Sequence, residues 1–396
     1  MAENKDKKVL NVPNLRFPEF QGEWQETRLK EISKFSKERL NSIELSCSNY
    51  VTTENMLQDY KGIVSATNLP TNTNVVKFSK GDVLLSNIRP YLKKVWYADR
   101  NGGCSADVFV FKALPICNSN FLHHVIANDR FIKFVMGGAK GVKMPRGDKE
   151  QMITYKVGLP CIEEQKKIAN LLSLLDERIS TQNKIIEDLK KLKYAISKYL
   201  FERKDLFENK IKLSKVAELK NGYAFQSSKY NALGKWKILT IANVAGERYV
   251  KTNECNCIIE IPHDIQKHQK LEANDILISL TGNVGRVSLC TEGFFLLNQR
   301  VGLLQLKISE NREFIYQVLS FHKFEESMIA CAQGAAQMNI GKGDVENYIL
   351  PYSFNKENIN SVASVLKNYD KYIINEINML SMLHSQKQYL LRQMFI

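Results

Sequence analysis

Residues 163–203 read EEQKKIANLLSLLDERISTQNKIIEDLKKLKYAISKYLFER, and this stretch decides the fold. It lies inside a longer run, 161–221, without glycine or proline, the two residues that oppose helix continuation. Ile168, Leu172, Leu175, Ile179, Ile186, Leu189, Ile196 and Leu200 recur at the steps of a one-faced helix. Glu163 and Glu164 stand in the first turn, where the helix dipole favours anions. A helix over 163–203 is roughly 60 Å long.

A second run free of both residues, from Tyr352 to Ile396, matches the first without gaps at an offset of 194. Asp176 falls on Asp370, Ile179 on Ile373, Ile186 on Leu380, Leu189 on Leu383 and Ile196 on Leu390. Two long helices with apolar stripes bury them best against each other. The expected pairing residues are Ile168, Leu172, Leu175, Ile179, Ile186, Leu189 and Ile196 against Leu366, Ile373, Leu380, Leu383 and Leu390.

The flanks repeat too. Arg28-Leu29-Lys30-Glu31-Ile32 echoes Lys212-Leu213-Ser214-Lys215-Val216, and Gly81-Asp82-Val83-Leu84-Leu85-Ser86 echoes Asn274-Asp275-Ile276-Leu277-Ile278-Ser279. In the second pair a turn residue precedes a short apolar run, the entry of a buried strand, so Asp82 and Asp275 read as turn formers. Each half then carries a glycine-containing loop, 137–146 and 333–342, and closes on Leu159-Pro160 or Leu350-Pro351. The expected layout is a lead-in (1–27), a first domain (28–160), a central helix (161–203), a second domain (204–350) and a C-terminal helix (351–396). The fold class is α+β: two similar mixed α/β domains separated by two long, coiled-coil-like helices, with an internal repeat.

Composition agrees with globular domains. The chain has 396 residues, 44% of them hydrophobic and 10% aromatic, enough for two or three domains with real cores. Apolar runs such as 276–280 fall far short of a membrane span, and the polar opening MAENKDKK lacks a signal-peptide core, so a cytoplasmic, membrane-free protein is expected. Eight scattered cysteines read as small buried hydrophobes of a reducing compartment. Cys255, Cys257, His263 and His268 offer zinc-ligand types, but C-x-C is too tight and no second cysteine pair follows; no metal is expected. The net charge is +14, which draws polyanions. It concentrates in residues 28–159, with 20 basic against 11 acidic residues, whereas 204–350 holds 18 against 16.

At this point the residues resemble a known family, the specificity subunits of type I restriction–modification systems. The lead-in Val12-Pro13-Asn14-Leu15-Arg16-Phe17-Pro18-Glu19-Phe20-Gln21-Gly22-Glu23-Trp24 resembles the opening of staphylococcal and related members. Leu159-Pro160-Cys161-Ile162-Glu163-Glu164-Gln165-Lys166-Lys167-Ile168-Ala169 resembles the family's L-P-x-x-E-E-Q-x-x-I-A signature. The resemblance implies two target-recognition domains in a pseudo-twofold repeat, each reading one half of a split double-stranded DNA sequence, held apart by two long antiparallel helices that dock two methyltransferase subunits. Restriction subunits join to make the endonuclease. It also implies that S-adenosylmethionine and ATP belong to those partners, with no cofactor in this chain. After Pro351 the E-E-Q signature is absent and three extra residues precede the helix, so the second contact departs from the first.

The residues agree that chemistry lies elsewhere. A polar-Pro-Pro-aromatic loop, by which a methyltransferase grips a flipped base, is missing; Ile88-Arg89-Pro90-Tyr91 comes nearest. Gly334 and Gly341-Lys342 stand six residues apart, not the four of a P-loop, and Gly343 replaces its Ser/Thr. Glu218-Leu219-Lys220 lacks the upstream carboxylate a metal nuclease needs. For DNA contact, the first domain offers Arg89, Tyr91, Lys93 and Lys94, and Lys140, Lys143, Arg146 and Lys149 at every third residue of a glycine-punctuated loop. Such cations suit phosphates, and arginine also bridges guanine O6 and N7. The second domain offers amides that suit adenine edges, Asn283, Asn298, Gln299, Gln333, Gln337 and Asn339, with Arg286, Arg300 and Lys342. Two other classes fit parts of the pattern: a stand-alone sequence-specific DNA-binding regulator, and a helical scaffold indifferent to DNA and salt.

Overall fold

The computed structural model describes residues 11–141, 143–307, 310–333 and 338–396. The chain falls into two compact units, Met1–Asn183 with Met379–Ile396, and Lys184–Asn378. One long helix runs Ile162–Glu202 and another Lys356–Gln393, so each unit owns part of both. Pro351 belongs to a strand, Ile349–Tyr352, and the second helix begins four residues later than that strand's end.

The first unit is layered. Its central sheet is antiparallel in the order Ser33–Phe35, Val108–Ala113, Val83–Ser86, Val95–Tyr97. All four residues of Val83–Ser86 are buried, because both faces are covered. Val83 and Leu85 face a core with Phe121 and Phe131 from the helices Ser119–Ile126 and Asp129–Gly137. Leu84 faces the other way, against Val51, Phe78 and Trp96. That second layer is a four-stranded sheet of Arg39–Asn41, Asn74–Phe78, Gly102–Cys104 and Tyr50–Val51. A two-stranded ribbon, Gln25–Arg28 with Lys156–Leu159, leads into the long helix. Ile168 and Leu172 of that helix and Leu391, Met394 and Phe395 of the other complete the core, with Phe395 stacked on Phe121 at 5.3 Å. Burying each such ring stabilises by about 1.5–3 kcal/mol.

The second unit repeats this plan. Its central sheet runs Ala217–Asn221, Val301–Leu306, Ile276–Ser279, Val287–Leu289. Ile276 and Ile278 face the helical core and Leu277 faces the other layer. Ile196 and Leu200 pack with Ile359, Val362 and Leu366, and Phe201 meets Phe314 at 6.4 Å edge to face, the repeat of the Phe395–Phe121 pair. The turns match as well: Gly81 and Asn274 take positive φ (+92° and +68°), and Asp82 and Asp275 each accept an upstream backbone N–H at 2.8 Å. The outer sheets differ. Both keep a parallel pair, Tyr50–Val51 with Gly102–Cys104 and Trp236–Leu239 with Phe295–Leu297. The extra edge strand is Arg39–Asn41 on one side in the first unit and Asn256–Ile258, holding Cys257, on the other side in the second.

Within each unit the helix segments run antiparallel. In the first, Leu172 lies with Leu391, while Leu175 and Ile179 lie with Leu380, Leu383 and Leu390, and Lys387 pairs with Asp176 at 2.5 Å. In the second, Lys193 pairs with Asp370 at 2.6 Å. Each lysine is the repeat mate of the other, and so is each aspartate. Ile186 and Ile373 are buried and Leu189 half-buried along the same stripes.

Candidate nucleic-acid interface

Two loops that sequence spacing leaves apart are joined in the first unit. The chain leaves strand Val83–Ser86 into 87–94, and this loop is stitched to 138–148 by backbone hydrogen bonds. Arg89 N–H donates to Pro145 O at 2.8 Å, Gly147 N–H to Asn87 O at 3.2 Å, and Asn87 N–H to Asp107 O at 2.8 Å. Lys140 and Arg146 exchange two bonds of 2.9 Å, and Ile88 bridges Arg146. Arg89 adopts the left-handed conformation (φ +51°), before the short turn Pro90–Leu92.

The second unit builds the same frame. Gly282 N–H donates to Met338 O at 2.9 Å, Ile340 N–H to Leu280 O at 2.9 Å, and Leu280 N–H to Arg300 O at 3.0 Å, while Thr281 bridges Asn339. The frame therefore pairs Arg89 with Gly282, Ile88 with Thr281, Asp107 with Arg300 and Arg146 with Asn339. It also pairs Lys94 with Arg286, whose carbonyls accept from Ser86 and Ser279 at 3.0 and 2.9 Å. The backbone is kept and the side chains are exchanged, an arrangement suited to reading different ligands with one scaffold.

The candidate side chains divide by partner. Arg89, Tyr91 and Lys143 are exposed, and neither Arg89 nor Lys143 has an ion-pair partner among the described residues. Lys140 is bound to Asp148 at 2.6 Å, Lys93 to Asp129 at 2.9 Å, and Lys94 reaches the Thr53 carbonyl at 2.5 Å. Lys149 stands over the rings of Phe35 and Phe109 at 5.3 and 4.8 Å. In the second unit Arg286 pairs with Glu325 at 3.3 Å and Lys342 with Glu218 at 2.7 Å. Lys220 and then Lys342 hold the Glu218 carboxyl down to about 2. Arg300 is exposed without an ion-pair partner among the described residues. Asn298 turns its side-chain oxygen back to Arg300 N–H at 3.1 Å, Gln299 is exposed beside it, and Asn283 and Gln333 are exposed. Gln337 lies outside the described residues. The sequence reading missed Asp107 and Thr281, which act only through the frame.

The E-E-Q signature has an internal role. The Glu164 carboxylate is buried and accepts two bonds of 2.8 Å from the Arg16 guanidinium and one of 3.3 Å from Trp24 Nε1. Gln165 accepts from Asn118 N–H at 2.8 Å and donates to the carbonyls of Ile116 and Pro160. These side chains clamp the lead-in and the helix Ser119–Ile126 onto the long helix. In the second unit the repeat mate of Glu164, Asn358, donates to Leu206 O at 3.2 Å, and Glu208 binds Ser353 and Phe354 N–H. A shorter lead-in there needs no carboxylate for an arginine. His268 bonds Asn221 O at 3.0 Å, and among the described residues no three His, Cys, Asp or Glu side chains are grouped to hold a metal.

The family model described as the type I restriction modification DNA specificity domain matches this chain twice, over residues 21–191 and 207–379. The chain belongs to that family. Its role is that of a sequence-specificity subunit, which supplies selectivity rather than catalysis. It is 26% identical over 413 aligned residues to the type I restriction enzyme MjaVIII specificity subunit of Methanocaldococcus jannaschii, covering 93% of this chain and 90% of that one. A putative MjaX specificity subunit of the same organism is 28% identical over 239 residues, 56% of this chain and 54% of its own. The fold is similar to the crystal structure of a type I restriction–modification S subunit from M. genitalium, with a TM-score of 0.61 and 16% identity over 97% of this chain and 99% of that one. A chain from work on assembly and conformational transition of the type I R-M system gives 0.54 at 18% identity, covering 93% and 96%. No helix among the described residues is long and apolar enough to cross a membrane.

Proposed function

We propose that the chain reads a split duplex target, one half-site per domain, for two methyltransferase subunits docked on its long helices. Restriction subunits join through them, and S-adenosylmethionine and ATP are bound by those partners. The observation that carries this reading is the shared loop frame with different side chains at matched positions. One scaffold used twice with unlike readers gives two unlike half-sites. Arg89, Lys143 and Arg300 are the cations left open for phosphates, which fix register without carrying sequence. The helices set the gap between half-sites. Their polar faces still expose Leu174, Tyr199, Tyr372, Met382 and Tyr389, apolar groups suited to a partner protein.

Methyl transfer from labelled S-adenosylmethionine tests this, using the cognate methyltransferase subunit with and without the chain. Methylation at a split sequence, and only with the chain present, is the expected result. A purified, soluble pair that neither associates nor methylates varied DNA would overturn the docking assignment and leave a stand-alone DNA-binding protein.

A further inference from the structure

We propose that Arg146 and Asn339 are the matched base readers of the two domains, the first for guanine and the second for adenine, held in place by Asp107 and Thr281. This rests on the reading that the loop frame faces DNA. Both readers sit at one frame position, opposite Ile88 and Thr281 respectively, and both are exposed. Each has a different neighbour to fix it. The Arg146 guanidinium lies 3.4 Å from the Asp107 carboxylate, and their side chains are 55% and 40% exposed. A carboxylate in a cationic loop repels phosphate unless it is spent on an arginine. With one nitrogen turned towards Asp107, the planar fork keeps the other donors for the two acceptors of guanine, O6 and N7.

In the second domain the arginine is gone and so is its holder: Arg300 takes the place of Asp107. The holder moves to the neighbouring strand of the frame. Thr281 Oγ1 donates to Asn339 Oδ1 at 3.0 Å, a bond Ile88 cannot make. The amide keeps its NH2 donor and one oxygen lone pair, the complement of adenine N7 and N6–H. Reader and holder therefore change together between the domains, Arg with Asp and Asn with Thr. Arg300, freed of a carboxylate, is left for the backbone.

The test uses the full chain in complex with its methyltransferase subunit, methylating a duplex library of random sequence, with the modified sites then sequenced. Wild type should select a split site with a G·C pair in one half and an A·T pair in the other at the contacted positions. Arg146→Ala should lower selection for that G·C pair about 10- to 100-fold and leave the other half-site unchanged. Asn339→Ala should do the same to the A·T pair alone. Asp107→Asn and Thr281→Val should blur the same single base pairs as their readers, a change in base profile that a merely structural role would not produce. A wild-type split site whose profile is untouched by Arg146→Ala and Asp107→Asn overturns this inference while sparing the proposed function. So does a uniform loss across all bases, the mark of a phosphate contact. If wild type selects no split site, the proposed function itself falls.

Discussion

The two units hold their repeat-related helix ion pairs in different company. In the second, Asp370 takes Lys193, Arg248 at 2.8 Å and Gln317 at 2.6 Å, and Arg248 is forked onto Glu313 as well. In the first, Asp176 takes Lys387, and the places of Tyr316 and Gln317 on the matching helix are held by His123 and His124. The apolar packing around both uses the same repeat positions, including one aromatic pair that stacks in the first unit and meets edge to face in the second. Duplication has kept the geometry that burial enforces and let the polar interior change in whole sets, since a buried charge needs all of its partners.

The largest break in this symmetry should come from Asp370→Ala. It takes the common acceptor from the buried Arg248 side chain, which keeps Glu313, and from the half-buried Lys193, at a cost of about 3 kcal/mol. Asp176→Ala removes a carboxylate that is already a third exposed and strands one ammonium, Lys387, and should cost about 1–2 kcal/mol. Chemical denaturation of both variants measures this, and equal losses would erase the contrast.

Acidification should sharpen it next. Burial holds His124 well below the ordinary histidine value, with His123 and Lys387 adding repulsion, and burial takes His123 down to about 3. The unfolded histidine binds a proton near 6.5 and the folded one does not. Stability from this source is therefore complete above 6.5 and drains away as the pH falls towards the folded value. Between pH 6.5 and 5 the loss is about 2 kcal/mol for one such histidine. His124→Gln, which installs the second unit's residue, should flatten the fall in Tm from pH 7 to pH 5. An unchanged fall in the variant would place the acid sensitivity elsewhere.

The smallest effect concerns charge at the frame. Arg89→Ala, at an unpaired cation, should weaken DNA binding alike on all sequences and lower the salt slope by about one. Lys342→Ala should change that slope little, because Glu218 already occupies the ammonium. Titrations of the assembled complex at several salt concentrations compare them; equal slopes would make the ion pairs irrelevant.

What the sequence made legible follows from periodicity. The stripe from Ile168 to Leu200 and its copy at Leu366 to Leu390 repeat every few residues, so helix, duplication and register can be read directly. The buried runs at Val83 and Ile276 were visible as apolar blocks behind a turn. The frame was not, because Arg89 meets Pro145 through backbone atoms alone, and no side-chain pattern marks a contact between residues so far apart in the chain. Partnering was equally hidden: Lys140 and Arg89 look alike in a string, yet one is bound to Asp148 and the other is open. The helix dipole alone accounts for an acidic residue at Glu164 in the sequence, whereas in the fold a distant arginine, Arg16, claims it.

The stacking of Phe395 on Phe121 has a consequence for the order in which the molecule is made. The second unit is continuous in the chain, from Lys184 to Asn378, and its core can close once those residues have left the ribosome. The first unit begins earlier but lacks Leu391, Met394 and Phe395 until the second has been synthesised in full. The half translated first is the half whose core is completed last. During that interval the apolar core of the first unit lacks three of its side chains.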